Sequence, residues 1–382
     1  MELITTTEAL SRAVDEASSG PFVTVDTEFM RESTYWPILC LLQFAGTERG
    51  YLVDTMAPGL DLAPFFALLD RPDIVKVFHA ARQDVEIFHH LSGRTPRNLF
   101  DTQVAGMVCG LGESISYENL VRETTGHAVD KSSRFTDWSR RPLSEKQLIY
   151  ALGDVTHLRD AYRVLSERIA AQGRATWIEE EMAVLTDPSI YAVEPEDAWK
   201  RLKVRSGSKK FLAALKGLAA WREREAQARD VPRQRILKDD ALLDIASHAP
   251  KTAADLDGLR SVPRGFAQSR NGAAILEAIA AGLALPADQI PQLERSERVP
   301  ETDSGLVDAL KLLLKLKSDE SGVAARLIAN ASDIERLAAY AEPEISATQG
   351  WRREVFGAAA MDLKAGRLVL KIEDGKLRAA TA

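Results

Sequence analysis

Hydrophobic and polar positions alternate with period two through Val23-Thr-Val-Asp-Thr-Glu-Phe29, with Val23, Val25 and Phe29 opposed to Asp26 and Glu28. A β-branched run of that period predicts a strand over 22–29 with both acids on one face. Further strand-like runs lie at 38–45, 50–54 and 74–78, and helical stretches at 7–18, 62–69, 84–91, 101–109 and 144–170. Their alternation predicts an α/β domain whose first three strands form a meander. Past residue 200 the pattern turns helical, at 211–228, 238–247 and 271–284, and the one later strand is expected at 367–372. Proline, glycine and mixed charge at 188–208 and 286–303 read as linkers, which divides the chain into 1–200, 207–288 and 300–382.

Three of these elements carry acids that one metal site can use. Within 144–170, Leu148, Ile149, Leu152, Val155, Leu158 and Tyr162 form the apolar stripe, and Tyr150 and Asp154 stack on a common face four residues apart. The run Ile74-Val-Lys-Val-Phe78 reads as a buried strand entering a helix, with Asp84 near the junction. Singly, each acid is more often a solvated residue or a helix cap than a ligand, and Tyr150 is more often core. An acidic pair inside an apolar strand resists that reading, because buried carboxylates need cations or hydrogen-bond partners.

Four carboxylates from three elements, Asp26, Glu28, Asp84 and Asp154, can bind two divalent cations. Two cations about 3.5–4 Å apart clamp the attacking and leaving oxygens of a phosphodiester. An all-oxygen donor set suits Mg²⁺ or Mn²⁺. The expected arrangement has one cation on Asp26, Glu28 and Asp154 and a second on Asp26 and, more loosely, Asp84. An unperturbed phenol, with a pKa of about 10, is protonated at neutral pH, so Tyr150 is expected to orient water rather than to act as a base.

In this order and spacing the three stretches resemble the exonuclease motifs of the DEDD superfamily, in the subgroup with tyrosine in the third motif. The wider context is more specific: Asp26-Thr-Glu-Phe-Met-Arg-Glu-Ser-Thr-Tyr-Trp-Pro37 followed by Leu41-Leu-Gln-Phe44, and Asp130-Lys-Ser-Ser133 through Asp137-Trp-Ser-Arg-Arg-Pro-Leu-Ser144, resemble the ribonuclease D family. The resemblance spans residues 1–200. It implies a ribonuclease H-like fold, a mixed sheet flanked by helices, with Asp26, Glu28, Asp84, Tyr150 and Asp154 catalytic and the four acids as metal ligands. The implied activity is hydrolytic 3′-to-5′ exoribonucleolysis of transfer RNA precursors and other small structured RNAs with a free 3′ end, releasing nucleoside 5′-monophosphates one at a time.

Further along, Trp221-Arg-Glu-Arg-Glu225, Val231-Pro-Arg233 and Ile236-Leu-Lys-Asp239 resemble the HRDC module. Val323-Ala-Ala-Arg-Leu-Ile-Ala329 and Asp333-Ile-Glu-Arg-Leu337 echo Val231-Pro-Arg-Gln-Arg-Ile-Leu237 and Ala241-Leu-Leu-Asp-Ile-Ala246. The fold class expected is therefore an α/β exonuclease domain followed by two all-α HRDC-type domains.

Composition narrows the alternatives. At 382 residues and 45% apolar content the chain can hold two or three cores, and no apolar run approaches the roughly 18 residues of a spanning helix. The start lacks the regions of a signal peptide, so a cytoplasmic location is expected. Cys40 and Cys109 support neither a disulfide framework nor a thiolate zinc site. The net charge of −7 opposes a polyanionic substrate until its distribution is examined: residues 200–238 carry thirteen Lys or Arg against three acids, a local +10, leaving −17 elsewhere. Such a segment is compatible with phosphate-backbone contact. A monomer is expected.

Substrate contacts are expected from His79, Gln43 and Lys131, with Arg134 beside the last, and from Tyr35, which with Trp36 lies on a loop where aromatic faces can stack on single-stranded bases. The competing roles are a structural hydrogen bond for His79 and Gln43, a surface ion pair with Asp130 for Lys131, and closure of the core for Tyr35 and Trp36. Two other functions share parts of the pattern: a proofreading-type DNA exonuclease, and an RNA-binding scaffold with an inactive nuclease fold. The four intact acids argue against the scaffold.

Overall fold

The computed structural model describes residues 3–130, 132–204, 206–262, 265–293 and 300–382. Its contacts divide the chain into two compact units, one of Met1–Glu28, Leu39–Asp187 and Ser296–Ala382, the other of Phe29–Ile38 and Pro188–Arg295.

The first unit is built on a mixed sheet. In chain order its α/β part runs β1 (Leu3–Ile4), α1 (Thr7–Ala17), β2 (Phe22–Met30), β3 (Ile38–Ala45), β4 (Gly50–Val53), α2 (Ala63–Leu69), β5 (Val75–Phe78), α3 (Arg82–Ser92), β6 (Leu99–Asp101), α4 (Thr102–Val108), α5 (Tyr117–Thr125), α6 (Glu145–Ala171) and α7 (Ala175–Thr186). The strand order is β1-β4-β3-β2-β5-β6, with β3 and β4 antiparallel and β2-β5, β5-β6 and β1-β4 parallel. The β2-β3-β4 meander is present, and the sheet exceeds the four expected strands because β1 and β6 extend its edges. With two and three residues, those strands are too short to show a period.

Strand β2 lies near the middle, and its buried Val23 and Val25 are wholly inaccessible, as are Phe44, Phe65 and Phe88, whose rings meet with centroids 5.5 Å apart. On the face shared with the two acids, Thr24 Oγ1 donates to the Val155 carbonyl at 2.8 Å, which ties the strand to α6. Helix α6 starts at a reciprocal cap in which Ser144 and Gln147 satisfy each other's backbone N–H groups.

The same unit contains a C-terminal helical region: α13 (Ser304–Ser321), α14 (Ala325–Ile328), α15 (Ala331–Ala339), α16 (Gly350–Arg352), a π-helical turn over Arg353–Gly357, and α17 (Ala358–Lys364), followed by the β7 (Leu368–Glu373) and β8 (Lys376–Thr381) hairpin. The strand expected at 367–372 has a partner because Asp374 and Gly375 both adopt positive φ, 51° and 70°, the geometry of a tight hairpin turn. This region is fastened to the α/β part. Trp351 stacks on Trp177 of α7 at 4.6 Å, Arg352 pairs with Glu181 at 2.6 Å, and the Ala324 N–H donates to the Met107 carbonyl at 2.9 Å. A Cβ on Gly110, whose φ is +77°, would stand 2.5 Å from the Gly322 carbonyl oxygen.

The second unit packs α8 (Lys209–Ala228) against α9 (Arg233–Ile236), α10 (Asp239–His248), α11 (Ala253–Asp257) and α12 (Arg270–Leu283). Helices α8 and α12 approach closely, since a Cβ on Gly217 would lie 2.3 Å from the Ala278 carbonyl. The stretch 188–208 is no open linker: Pro195–Arg201 forms a 3₁₀ helix, and Val193, Trp199 and Leu202 pack on the helical core. No helix among the described residues is long and apolar enough to cross a membrane.

The basic interval is partly consumed by this fold. Arg222, with 5% of its side chain exposed, pairs with Asp239 at 2.6 Å, and Arg233 pairs with the buried Glu223 at 2.6 Å. Arg201, Lys203, Lys209, Lys210, Arg235 and Lys238 remain exposed, whereas Arg205 lies outside the described residues.

Candidate active site

The carboxylates come together where three elements of the first unit meet. Asp26 and Glu28 project from β2 and Asp154 from α6, and one ligand oxygen from each lies within 4.8 Å of the others. Asp84 sits in the first turn of α3, only 6% exposed, where unpaired helix N–H groups favour an anion, and its carboxylate accepts from Thr27 Oγ1. It stands outside the group of three but within electrostatic reach of Asp26.

Burial acts on all four acids, and repulsion adds to it at Glu28, Asp84 and Asp154. Burial, opposed by hydrogen bonds, raises Asp26 to about 6, and burial with repulsion from Asp26, Asp154 and Asp84 pushes Glu28 up to about 10. Asp84 and Asp154 are likewise raised well above the carboxylate range, first by burial and then by Asp26. A donor set of buried oxygens that repel one another is what a bound divalent cation relieves, so the residues fit such an ion. Among the described residues, Arg134 acts as a counter-charge on Glu28 and Asp154.

Tyr150 lies one helical turn from Asp154, and burial together with Asp154, Glu28 and Asp26 raises its phenol strongly. Asp26, Tyr150, Asp154, His79 and Arg134 all line a cleft of about 410 Å³. Lys131 lies outside the described residues.

Two expected substrate contacts take other roles. Gln43 is fully buried on β3 and donates through Nε2 to Asp26 Oδ2 at 3.0 Å, so it orients a carboxylate and is closed to RNA. Tyr35 is 7% exposed in the second unit, where its hydroxyl donates to Glu223 and accepts from Arg233 at 2.7 Å, while the Arg233 guanidinium covers its ring at 4.5 Å. A ring closed in this way offers no face to a base. The backbone N–H groups of both Tyr35 and Trp36 donate to Asp230 at 3.0 Å.

Other supports escaped the sequence reading. The buried Asp101 carboxylate accepts from Ala80, Ala81 and Gln103 N–H at 3.1, 2.8 and 2.7 Å, holding the turn before α3 at Ala80, whose φ is +61°. Its neighbour Thr102 bonds the Phe78 carbonyl at 2.9 Å and meets His79 Nδ1 at 3.0 Å. Tyr117 donates to the Asp154 carbonyl at 2.6 Å from the cleft wall. The only signal for Asp101 was an Asp immediately preceding a helical stripe, the mark of an N-cap.

Residues 1–170 match the family model described as 3′-5′ exonuclease, and residues 211–279 match the HRDC domain. The chain is 50% identical to the ribonuclease D of Gluconacetobacter diazotrophicus over 98% of its length and 96% of that protein. The chain belongs to the ribonuclease D family. The ribonuclease D of Nitrobacter hamburgensis is 49% identical over 99% of this chain and 98% of its own. The fold agrees with the crystal structure of Escherichia coli RNase D at a TM-score of 0.79, with 30% identity across 95% of this chain and 98% of that one. The activity that goes with this family is metal-dependent 3′-to-5′ exoribonucleolysis.

Proposed function

We propose that this exoribonuclease trims the 3′ ends of structured RNAs, transfer RNA precursors among them, in the cytoplasm, releasing nucleoside 5′-monophosphates. The observation that carries the reading is the convergence of Asp26, Glu28 and Asp154 within 4.8 Å, beside a cleft large enough for a nucleotide. Asp26, Glu28 and Asp154 would hold one Mg²⁺ or Mn²⁺, and Asp26 with Asp84 would hold a second. When bound, such ions would supply Lewis-acid chemistry, acidifying a water and stabilising the departing 3′ oxyanion. Tyr150, its phenol held protonated by burial and by the surrounding carboxylates, orients the nucleophilic water as a hydrogen-bond donor. His79 contacts the substrate from the cleft wall. The Escherichia coli relative, described as an exoribonuclease involved in structured RNA processing, supports the substrate class.

The C-terminal helical region acts as a second HRDC-like domain in this reading. In support, a long helix, a four-residue helix and a medium helix follow one another in both regions, as α8, α9 and α10 and as α13, α14 and α15, and a 3₁₀ turn comes later in each, at Phe266–Gln268 after the extra helix α11 and at Ser346–Thr348. Equivalent positions are buried in both: Ile236 and Ile328, Leu242 and Ile334, Ile245 and Leu337, Ala267 and Ala347.

Digestion of a transfer RNA carrying a 3′ extension, with and without Mg²⁺, tests the proposal. Mononucleotides released only with metal, down to a defined end, are expected. Release of oligonucleotide fragments, or degradation without metal, would overturn it.

A further inference from the structure

Phe135 is 91% exposed, the highest of any large apolar side chain among the described residues. One exposed aromatic is ordinary on a protein surface. What sets this one apart is its mounting. On either side of it Ser133 and Trp138 are buried, at 4% and 2%. Thr136 closes the turn with its N–H and hydroxyl on the Ser133 carbonyl, at 3.2 and 2.8 Å, and Gln147 in the first turn of α6 donates to Thr136 Oγ1 at 3.1 Å. The loop is thus fastened to the start of the helix that carries Tyr150 and Asp154, and it turns the phenyl ring into solvent.

Its neighbour Arg134 links the ring to the cleft. Arg134 lines the acidic cleft and acts electrostatically on Glu28 and Asp154, yet its guanidinium carbon lies 5.2 Å from the Phe135 ring centroid. The guanidinium stands over the ring, which stays 91% exposed, so a cation and an open aromatic surface lie together at the rim. A single-stranded nucleic acid offers a phosphate for the cation and a base with a π face for the ring, whatever its sequence.

We propose that Phe135 is a base-stacking platform, binding a nucleobase of the RNA strand that leads into the cleft, upstream of the bond being cut. It acts on substrate binding and leaves the hydrolytic step untouched. Sequence preference is weak, because every base stacks, and a nucleotide without a base has nothing to offer it.

Hydrolysis of an octa-adenylate by Phe135→Ala, Phe135→Trp and the unaltered chain tests the assignment. Removing an aromatic platform costs roughly 5- to 150-fold in affinity per stacked base. For a ring at an open rim we expect KM to rise about tenfold in Phe135→Ala, with kcat within about twofold and recovery in Phe135→Trp. Single abasic sites stepped back from the 3′ end supply the second arm: one position should raise KM of the unaltered chain about tenfold and add nothing in Phe135→Ala. An unchanged KM in Phe135→Ala, or the same abasic penalty at that position in both proteins, overturns the proposal. The assignment rests on the acidic cleft receiving the 3′ end. If that were wrong, Asp84→Asn would hydrolyse the octamer normally, whereas failure of the platform alone leaves Asp84→Asn inactive and Phe135→Ala normal.

Discussion

Two phenols in this molecule stand beside buried carboxylates, and they have opposite surroundings. In the second unit Tyr35 meets Glu223, and Arg233 completes the set by bonding both, so Glu223 stays ionised. Burial opposes its charge, but the hydrogen bonds from Arg233 and Tyr35 outweigh burial and draw its pKa below the usual range. In the first unit Tyr150 meets Asp154, and burial together with the neighbouring acids raises Tyr150, Asp154 and Glu28. The helical unit carries its own counter-charge. The catalytic site leaves that place for an ion from outside, and the contrast separates a carboxylate that holds a fold together from one that waits for a ligand.

The sharpest way to break the contrast is to neutralise one acid on each side. Asp84→Asn should abolish hydrolysis by orders of magnitude while the metal-free protein stays folded, with a thermal midpoint at or above the original. Near-normal turnover in saturating Mg²⁺ would remove Asp84 from the chemistry. Glu223→Ala should do the reverse: activity on a dinucleotide survives, and stability to urea falls by about 3 kcal/mol, because the substitution strands Arg233 and the Tyr35 hydroxyl. That figure sits low in the range for a broken buried pair, since 31% of the Arg233 side chain remains exposed. A loss under about 1 kcal/mol would mean that the pair is not what holds this part of the fold.

Tyr150→Phe gives a smaller effect of the same kind. Losing one hydrogen bond to a charged group costs roughly 10- to 100-fold, here expected in kcat, with the half-saturating Mg²⁺ concentration little changed. Collapse of metal affinity, with turnover recovering at saturation, would contradict the water-orienting role.

The smallest effect is one of pH. A carboxyl whose folded pKa lies above its unfolded one binds more protons when folded, so it destabilises at high pH and that cost disappears as pH falls. With Asp26 near 6 and Glu28 near 10, the metal-free thermal midpoint should rise as pH is lowered from about 8 toward 5. Glu223, lowered below its ordinary value, contributes in the opposite sense, and its stabilisation is lost only as pH falls through its folded pKa. Saturating Mg²⁺ should flatten the first slope; a midpoint that climbs with pH in the metal-free protein would show the acids are compensated within the chain.

The parts of the site that the sequence announces are those with a period. Asp26 and Glu28 stand two apart on a strand and Tyr150 and Asp154 four apart on a helix, and both spacings put side chains on one face before any tertiary contact is known. The same reasoning fails where the partner is remote in sequence. Tyr35 looks like a loop aromatic until Glu223 and Arg233, nearly two hundred residues away, close over it. Gln43 follows the strand pattern and is silent about whether its amide faces a carboxylate or a substrate. Arg222 and Arg233 count as positive charge in a composition and as neutral pairs in the fold. Phe135 carries no periodic signal, because exposure in a loop is decided by how the loop's ends are pinned.

The junction between Met107 and Ala324 has a meaning for how this chain tolerates change. A bond from one backbone N–H to one backbone carbonyl survives nearly any exchange of side chain, so the seam it secures need leave no trace in residue identity. Gly110 is the exception, with its positive φ and the Gly322 carbonyl in the path of a methyl group. A saturation library across this seam would accept many substitutions at Met107 and almost none at Gly110, a position constrained by the side chain it does not carry.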